Sequence, residues 1–261
     1  MRPSISVITI CFNNLADLQR TCTSVDAQTE HPEEHWIVNG SGTPDIADWL
    51  SAAPQPHYRK WISEHDKGIS DAFNKGIALS SGDLIQLLNS GDVYAVPDVL
   101  AAVSQAFTAH PGAQWLSGKL QIKRAGHWVE TGKPFRKSKL YRGMRSVSHP
   151  TWFVRREAYE RAGQYRLEEK IAMDYDMMCR IAGEPYIFLD KPLVRFDDTG
   201  ISTTQYLESL TQSTRVYESH FGYSLRARAW QFRLRLLHRM LQTKAGKWLF
   251  AVKRKMGLEN A

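Results

Sequence analysis

The stretch SEHDKGISDAFNKGIALSSGDLIQLLNSGD, residues 63–92, decides the fold. It passes from a charged loop to a helix-prone segment, then through a glycine turn into a short apolar run, and it ends on Asn-Ser-Gly-Asp. This order is typical of a βαβ crossover, in which a helix connects two parallel strands. Its polar end has two interpretations: a simple turn, in which these residue types are all favoured, or a ligand site at the end of a strand.

The neighbouring sequence repeats this alternation. Runs rich in β-branched and apolar residues predict strands at residues 4–11, 34–38, 57–63 and 83–89. Helical spacing predicts helices between them: the first capped by Asn13 or Asn14, the second starting at Pro44 with Thr43 as N-cap, and the third over residues 71–79. Strands that alternate with helices indicate a parallel α/β sheet.

Polar residues follow all four predicted strands. Asn13 comes after the first strand and Asn39 after the second; Glu64 and Asp66 come after the third, and Asp92 after the fourth. Parallel α/β sheets bind ligands at the carboxyl ends of their strands, so we expect one cleft there. Oxygen-rich sites with one or two carboxylates suit Mg²⁺ or Mn²⁺, especially when substrate phosphates complete the coordination. Asp92 is therefore a candidate metal ligand.

The rest of the chain is less regular. Its pattern predicts a helix up to residue 110, strands at 113–122 and 126–132, a basic loop at 132–148, a strand and helix within 151–165, a helix within 172–183, a strand at 192–198 and helix from 205. We expect a body at residues 1–204, divided into halves at 1–95 and 96–204, and a helical tail at 205–261.

Composition narrows the class of protein. The three cysteines have no paired spacing, no signal peptide is recognisable, and no run approaches the ~18 apolar residues of a membrane span, so we expect a cytoplasmic protein with reduced thiols. Residues 224–261 carry ten Lys or Arg and one acid, Glu259, whereas the rest carries 24 basic and 26 acidic residues. A near-neutral body with a basic tail argues against nucleic acid and favours an anionic membrane surface.

The tail has the pattern of an amphipathic helix. One apolar stripe runs through Leu225, Ala229, Phe232, Leu236 and Met240, with arginines on both sides and a second apolar group nearly opposite. Two interpretations remain open. The helix lies at the inner face of the cytoplasmic membrane, or it belongs to a helix hairpin that completes the fold or mediates a dimer.

The chain resembles the inverting family 2 glycosyltransferases with the GT-A fold, and among them the enzymes of colanic-acid and capsular polysaccharide assembly. The resemblance covers residues 4–220 and is densest in residues 63–92, where the family runs Ser-Glu-x-Asp-x-Gly-Ile and later Leu-Asn-Ser-Gly-Asp. It implies a Rossmann-like nucleotide-binding half, a mixed and mostly parallel sheet, and a C-terminal helical extension.

The resemblance also implies where the donor binds. Asp92 would hold a divalent cation, Mn²⁺ or Mg²⁺, against the diphosphate of a nucleotide-sugar, UDP in preference to GDP. Many relatives have Asp where this chain has Asn89, so its metal site has fewer charges than usual. Many also have Asp where it has Asn39, which alters the groups offered to the base. The residues implied at the donor nucleotide are Thr9, Cys11, Phe12, Asn13, Asn39, Asp66, Asn89, Ser90 and Gly91.

A second motif, AMDYDMMCR, aligns Asp174 with the catalytic base of the family. Inversion needs a carboxylate that takes the proton of the attacking hydroxyl. Asp176, two residues on, is expected to stabilise the turn, and Arg180 to pair with either carboxylate. His149 has two interpretations, a packed loop residue or a contact to donor or acceptor. Ser202 lies in a loop, residues 200–202, that the resemblance places at the diphosphate.

Asp71 and Lys75 complete the candidate set. Four apart on one helix, they form either an i,i+4 surface ion pair or contacts to the donor sugar. The expected function is transfer of a sugar to a saccharide acceptor carried on a polyprenyl diphosphate. The alternatives are a sugar nucleotidyltransferase, which would need a Gly-rich loop with Arg and Lys after the first strand, and a non-catalytic nucleotide- or nucleic-acid-binding module.

Overall fold

The computed structural model describes residues 2–124, 126–144, 147–196, 205–243 and 246. The strands are β1 Ile5–Cys11, β2 Glu34–Asn39, β3 Arg59–Ser63, β4 Leu84–Leu87, β5 Val93–Tyr94, β6 Trp115–Arg124, β7 His127–Thr131, β8 Phe153–Arg155 and β9 Tyr186–Phe196. The helices are α1 Leu15–Asp26, α2 Asp45–Ala52, α3 Ile69–Leu79, α4 Val99–Ala109, α5 Arg156–Ala162, α6 Met173–Ile181, α7 Tyr206–Phe221 and α8 Leu225–Gln242.

All the described strands belong to one mixed sheet in the order β3-β2-β1-β4-β8-β6-β9-β5, with β7 paired to β6. The first four strands of this order are parallel to one another. Beyond β4 the direction changes, because β8 is antiparallel to both β4 and β6, whereas β9 runs parallel to β6. The predicted α/β fold with a mixed sheet is confirmed.

The parallel half is covered on both faces, which explains the nearly uninterrupted burial of β1. Helix α3 lies close against that strand. A Cβ atom added to Gly76 of α3 would lie 2.3 Å from Cγ2 of Ile8, so only glycine allows this approach. The close packing fixes the N-terminal end of α3 beside the carboxyl edge of the sheet.

The second half of the sheet is built around aromatic rings. Trp115 of β6 packs against Tyr186 of β9, with ring centroids 4.3 Å apart, and edge-to-face against Trp152 at 5.8 Å. Because β4 pairs directly with β8, the two predicted halves of the body share one continuous sheet. Their division at residue 95 stays a prediction.

Three local predictions need correction. Helix α2 begins at Asp45 with Pro44 as N-cap, and Thr43 instead donates to the side chains of Asn13 and Asp45. The expected loop at 132–148 contains a 3-10 helical turn, Lys137–Arg142. The two-residue strand β5 was not predicted, because such a strand has no periodicity and exists only through its pairing with β9.

The two C-terminal helices pack on the body through one face of α8. Ala227, Gln231 and Leu234 are buried, while Leu225, Phe232, Leu236 and Met240 are exposed along the predicted apolar stripe. None of the described helices combines the length and apolar character needed to cross a bilayer. Residues 247–261 of the predicted tail lie outside the described residues.

Candidate active site

The turn after β4, Asn-Ser-Gly-Asp at residues 89–92, is fixed by a side chain from α1. The Thr21 hydroxyl donates to the carbonyl oxygen of Asp92 at 2.8 Å and accepts from the backbone N–H of Gly91 at 2.9 Å. Gly91 adopts a φ of 102°, which L side chains rarely reach. The polar turn is therefore held in one conformation at the carboxyl edge of the sheet.

This turn presents oxygen atoms that the protein leaves unused. Within the described part of the chain, Oδ1 of Asn89 and Oγ of Ser90 are buried and accept or donate no hydrogen bond. Asp92 beside them is only 4% exposed. One carboxylate with amide and hydroxyl oxygens is a ligand set that suits Mg²⁺ or Mn²⁺ when substrate supplies the remaining ligands. The described residues contain no cluster of three His, Cys, Asp or Glu side chains suited to a metal.

Loops after β1, β2 and β3 form the rim on the other side of this edge. Asn13 has a φ of 52°, donates its N–H to Ser41 Oγ at 2.8 Å, and stands next to the exposed ring of Phe12. Asp66 accepts from the N–H of Gly68 at 2.9 Å, and its carboxylate fills the space that a side chain at residue 40 would need. Phe12, Asn13 and Asp66 thus line the surface where the resemblance places the nucleotide.

Three predicted donor residues lie beneath that surface instead of on it. Thr9 is 0% exposed, and its hydroxyl is 3.0 Å from Nε2 of His35. Cys11 is buried, and burial raises the pKa of its thiol to about 12. The Asn39 amide accepts from Ser41 N–H at 3.0 Å and donates to Ser63 Oγ at 3.1 Å.

Thr9 and Cys11 therefore support the rim from below, and their contact with the donor nucleotide stays a prediction. The strand is covered on both faces, so alternation along β1 does not separate buried from open positions. For Asn39, base recognition stays a prediction that requires exchange of its internal hydrogen bonds to Cys11, Ser41 and Ser63.

Asp174 lies in the first turn of α6, and one of its oxygens is buried and receives no hydrogen bond from the residues that the structure describes. Its Oδ1 is 3.5 Å from Nε2 of His149, and the side chain as a whole is 27% exposed. Burial raises the pKa of this carboxyl, and His149 partly opposes the shift. A partly accessible carboxylate with a raised pKa is the kind of group that acts as a general base.

His149 is packed in the interior, in agreement with one of its two interpretations. Its Nε2 lies 3.1 Å from the Tyr165 hydroxyl, and its ring contacts those of Phe73 and Trp152. Burial lowers the pKa of the imidazole, while Asp174 acts in the opposite direction. Because a lowered pKa favours the neutral imidazole, His149 packs against the Asp174 side chain without bringing a positive charge to it.

Asp176 is fully buried and has several partners. Its Oδ2 accepts from Nη2 of Arg180 at 2.7 Å, and its Oδ1 lies 2.8 Å from Nε2 of His220 on α7 and 3.2 Å from Nη1 of Arg166. Arg180 also donates to the carbonyl oxygens of residues 162–164. Arg180 thus pairs with Asp176, as one alternative held, while its buried Nε has no hydrogen-bond partner among the described residues. A contact of Arg180 with the donor or acceptor sugar, which the resemblance also implies, stays a prediction.

Lys75 connects α3 to the loop after β3. Its Nζ is 2.8 Å from the Glu64 carboxylate, donates to the His65 carbonyl oxygen at 2.8 Å, and lies 3.6 Å from Asp71. The Asp71 carboxylate accepts from the N–H of Lys67 at 3.0 Å. The ion pair between Asp71 and Lys75 is present, and it orders the N-terminal end of α3; a role at the donor sugar stays a prediction.

The sheet brings the turn at residues 89–92 and His149 to the same edge. Leu84 pairs with Arg155 and Ile85 with Val154, so the chain that precedes β8 lies beyond the carboxyl end of β4. Gln86 confirms this arrangement by donating to the Pro150 carbonyl oxygen at 3.0 Å. Helix α6 reaches this edge as well, because Ser70 Oγ of α3 is 3.1 Å from Sδ of Met173.

Sequence reasoning missed four residues that build the site: Thr21, Gly40, Tyr165 and His220. Each acts through a partner that is remote in sequence, so no local motif indicates it. Ser202, together with the rest of the predicted loop at residues 200–202, lies outside the described residues.

The mixed sheet and its polar carboxyl edge define an α/β protein with the GT-A fold. The Glycosyl transferase family 2 model matches residues 6–163. An uncharacterised glycosyltransferase of Mycobacterium tuberculosis is 36% identical over 205 residues, which cover 77% of this chain and 78% of the relative. The chain therefore belongs to glycosyltransferase family 2 and is a glycosyltransferase.

More distant relatives agree. A PGL/p-HBAD biosynthesis glycosyltransferase of Mycobacterium bovis is 26% identical over 225 residues, covering 82% of this chain and 86% of the relative. Among solved structures, a mannosyltransferase of Pyrobaculum calidifontis in complex with GDP-Man and Mn²⁺ has a TM-score of 0.61 at 14% identity, covering all of this chain and 82% of its own. S. aureus TarS has a TM-score of 0.61 at 13% identity, and this chain spans 44% of its length. At such identities the two structures support the fold alone.

Proposed function

We propose that this enzyme transfers a sugar, with inversion, from a nucleotide diphosphate donor to a saccharide acceptor, using Asp174 as the base. One observation carries the proposal. The Asp174 carboxylate has a raised pKa and an oxygen without a hydrogen bond from the described residues, and it lies at the edge that also holds the unbonded oxygens of Asn89 and Ser90. A direct displacement requires a positioned proton acceptor and a site for the leaving diphosphate. The Asp174 carboxylate beside the polar turn would supply both.

In this mechanism the oxygen of an acceptor hydroxyl attacks the anomeric carbon of the donor sugar, and Asp174 accepts the proton of that hydroxyl. The new bond joins the acceptor oxygen to that carbon, and the bond from the carbon to the diphosphate oxygen breaks on the opposite side. His149 and Tyr165 hold the carboxylate in orientation from below. The nucleoside diphosphate leaves with the bonding electron pair, and the proton remains on Asp174 until solvent removes it.

The donor would lie across the carboxyl edge, with its base near Phe12, Asn13 and Asp66 and its diphosphate at the turn after β4. A divalent cation held by Asp92, with Asn89 and Ser90 beside it, would neutralise negative charge on the leaving diphosphate. We propose UDP in preference to GDP. Proteins of this fold have been solved with UDP-GlcNAc and with GDP-Man, so the fold is compatible with both bases, and we propose that the rim residues select between them.

The acceptor is proposed to be lipid-linked, with the enzyme peripheral on the inner face of the cytoplasmic membrane and engaged in surface polysaccharide assembly. The exposed stripe of α8 supports this placement: Phe232, Leu236 and Met240 face outward on a helix that carries five arginines and no acid. Exposed apolar residues bordered by arginine are typical of helices that lie in the membrane interface. The same helix packs on α7 and would hold the cleft near a lipid-borne substrate.

Nucleotide release from a panel of UDP- and GDP-sugars, with Mn²⁺ and a lipid extract as acceptor, tests the transfer reaction. Asp174→Asn is expected to lower kcat by about 10³-fold and leave donor affinity unchanged. The exposed Asp190 supplies the matched control, Asp190→Asn, which should retain full activity. Absence of release with every donor, or undiminished turnover of Asp174→Asn, would contradict the proposal.

The same variant has a signature in stability. Burial disfavours the charged form of Asp174, so its folded-state pKa exceeds the unfolded value and the carboxylate costs stability at neutral pH. Asp174→Asn removes that cost, and its free energy of unfolding at pH 7 should equal or exceed that of the wild type. A loss of activity without a loss of stability separates a catalytic role from a structural one.

A further inference from the structure

A groove of about 460 Å³ lies between α7 and α8, on helices that carry neither the turn after β4 nor Asp174. Four lining residues come from each helix: Thr211, Thr214, Arg215, Glu218, Arg228, Gln231, Phe232 and Arg235. Three arginines and one carboxylate give this lining a net positive charge. A groove with this balance of charge favours anions over cations.

Two of the arginines are held rigidly by carboxylates. Arg228 donates to both oxygens of Glu218, at 2.8 and 2.9 Å, and Arg215 donates to both oxygens of Glu169, each at 2.9 Å. These bonds neutralise much of the local charge but fix the guanidinium planes. The two ion pairs shape the groove and use only some of the N–H groups of each guanidinium.

Arg235 differs from both, because no described carboxylate pairs with it. Its Nη2 donates to Thr211 Oγ1 at 2.8 Å, and its Nε is buried and has no acceptor within the described residues. The guanidinium is thus held by one hydrogen bond, and its charge has no counterion among the described residues. Desolvated N–H donors are costly to leave unpaired, and a bound anion would remove that cost.

Gln231 provides a second, independent observation. It is 5% exposed, lines the groove, and has a buried Oε1 that accepts no hydrogen bond from the described part of the chain. One ligand that satisfies both residues combines an anionic oxygen for Arg235 with a hydroxyl donor for Gln231. Phosphate esters of polyols have this chemistry, and arginine forks match phosphate geometry.

The groove also adjoins an apolar surface. Phe232 lines it and is 69% exposed, and it continues along α8 into the stripe of Leu236 and Met240. An amphiphile with a phosphate head and an apolar chain would contact both parts at once. We propose that this groove is a binding site for the phosphate ester headgroup of a lipid, which anchors the enzyme in a defined orientation.

Two arms of one experiment on the full chain distinguish lipid from free phosphate ester. The first measures binding of glycerol 3-phosphate by thermal shift, and the second measures sedimentation with phosphatidylcholine vesicles that contain phosphatidylglycerol. Arg235→Gln removes the unpaired charge. Arg226→Gln removes an exposed charge outside the groove on the same helix, and so serves as the matched control.

We expect Arg235→Gln to weaken glycerol 3-phosphate binding at least about tenfold, and Arg226→Gln to change it less than about twofold. Both variants lose some vesicle binding because each loses one positive charge, but Arg235→Gln should lose about fivefold more. Arg235→Lys, which keeps the charge and loses the planar fork, should fall between Arg235→Gln and wild type. Thermal unfolding in buffer confirms that each variant is folded.

Equal effects of Arg235→Gln and Arg226→Gln in both arms would overturn the site and leave only general charge attraction. A difference confined to glycerol 3-phosphate would support a phosphate site and overturn the lipid as its source. The site does not depend on the transfer reaction, since Asp174→Asn should bind vesicles as the wild type does. Failure of the groove and failure of the proposed reaction are therefore distinguishable.

Discussion

The two edges of the parallel half-sheet differ in whether their buried polar atoms have hydrogen-bond partners. At the amino edge, each oxygen of Glu34 accepts two hydrogen bonds, from Lys60 Nζ and Ser81 Oγ on one side and from Ser6 Oγ and Ser81 N–H on the other, all between 2.7 and 2.9 Å. At the carboxyl edge, Asn89 Oδ1, Ser90 Oγ and Asp174 Oδ1 are buried and have no hydrogen bond within the described residues.

This difference separates stability from function. Buried polar groups are normally satisfied, and leaving one without a partner costs about 1–3 kcal/mol. A sheet that satisfies both oxygens of Glu34 at one edge, and leaves several buried oxygens without a described partner at the other, places that cost where a ligand can relieve it. Substitutions at the amino edge should therefore change folding, and those at the carboxyl edge should change activity.

The largest loss of stability is expected from a substitution of Asp176. This side chain lies two residues from Asp174 but, unlike it, has close partners for both of its oxygens. Asp176→Asn removes the buried charge that pairs with Arg180 and lies beside His220 and Arg166, and it should lower the free energy of unfolding by about 3–5 kcal/mol. Urea denaturation measures the change. A loss no greater than that of Asp190→Asn would break the distinction between the two aspartates.

Glu34→Gln tests the amino edge. Burial alone would raise the pKa of Glu34, but hydrogen bonds from Lys60, Ser81 and Ser6 lower it to about 2. A depressed folded-state pKa stabilises the protein above the unfolded value of 4.5, and this stability disappears as pH falls from 4.5 through about 2. Glu34→Gln should cost about 2–3 kcal/mol at pH 7 and about half of that at pH 3.

The exposed neighbour Glu33 provides the control, since Glu33→Gln should change stability by less than about 0.5 kcal/mol at either pH. Denaturation curves at pH 7 and pH 3 suffice. Equal losses for Glu34→Gln at both pH values would show that shape, and not charge, governs this edge.

The pH dependence of kcat tests the difference between the carboxylates of Asp174 and Glu34. Because burial raises the pKa of Asp174, the base becomes protonated at a higher pH than an ordinary aspartate. Activity should fall about tenfold per pH unit below that pKa, at pH values where Glu34 is still ionised and the protein is folded. A rate that stays constant through the mildly acidic range would exclude Asp174 as the titrating base.

The smallest effect is expected at Thr21, which is buried on helix α1 and also holds the turn at residues 89–92. Thr21→Val removes the bonds to Asp92 O and Gly91 N–H and should cost about 1 kcal/mol, with a several-fold loss of activity. Thr23→Val, on the same helix, loses only an exposed bond to Gln19 O. The variants should differ in activity; identical activities would mean that the turn needs no support from α1.

The sequence predicted the parallel half of the fold because each βα unit there is local, with its own strand, helix and turn residues. It predicted the location of Asp92 and Asp174 for the same reason, since each lies in a continuous motif. The pairing of β4 with β8 and the burial of Thr9 depend on contacts more than sixty residues apart or on coverage from both faces, which no local pattern contains.

The short ladder between β4 and β8 has a consequence for how the enzyme can change over time. The register of this ladder determines the distance between His149 and the turn after β4. It pairs Leu84 with Arg155 and Ile85 with Val154. A slip of one residue would move His149 by about 3.3 Å and invert the facing of every side chain in β8. Insertions and deletions between residues 147 and 155 should therefore be rare in working copies of this enzyme, whatever sugar they carry.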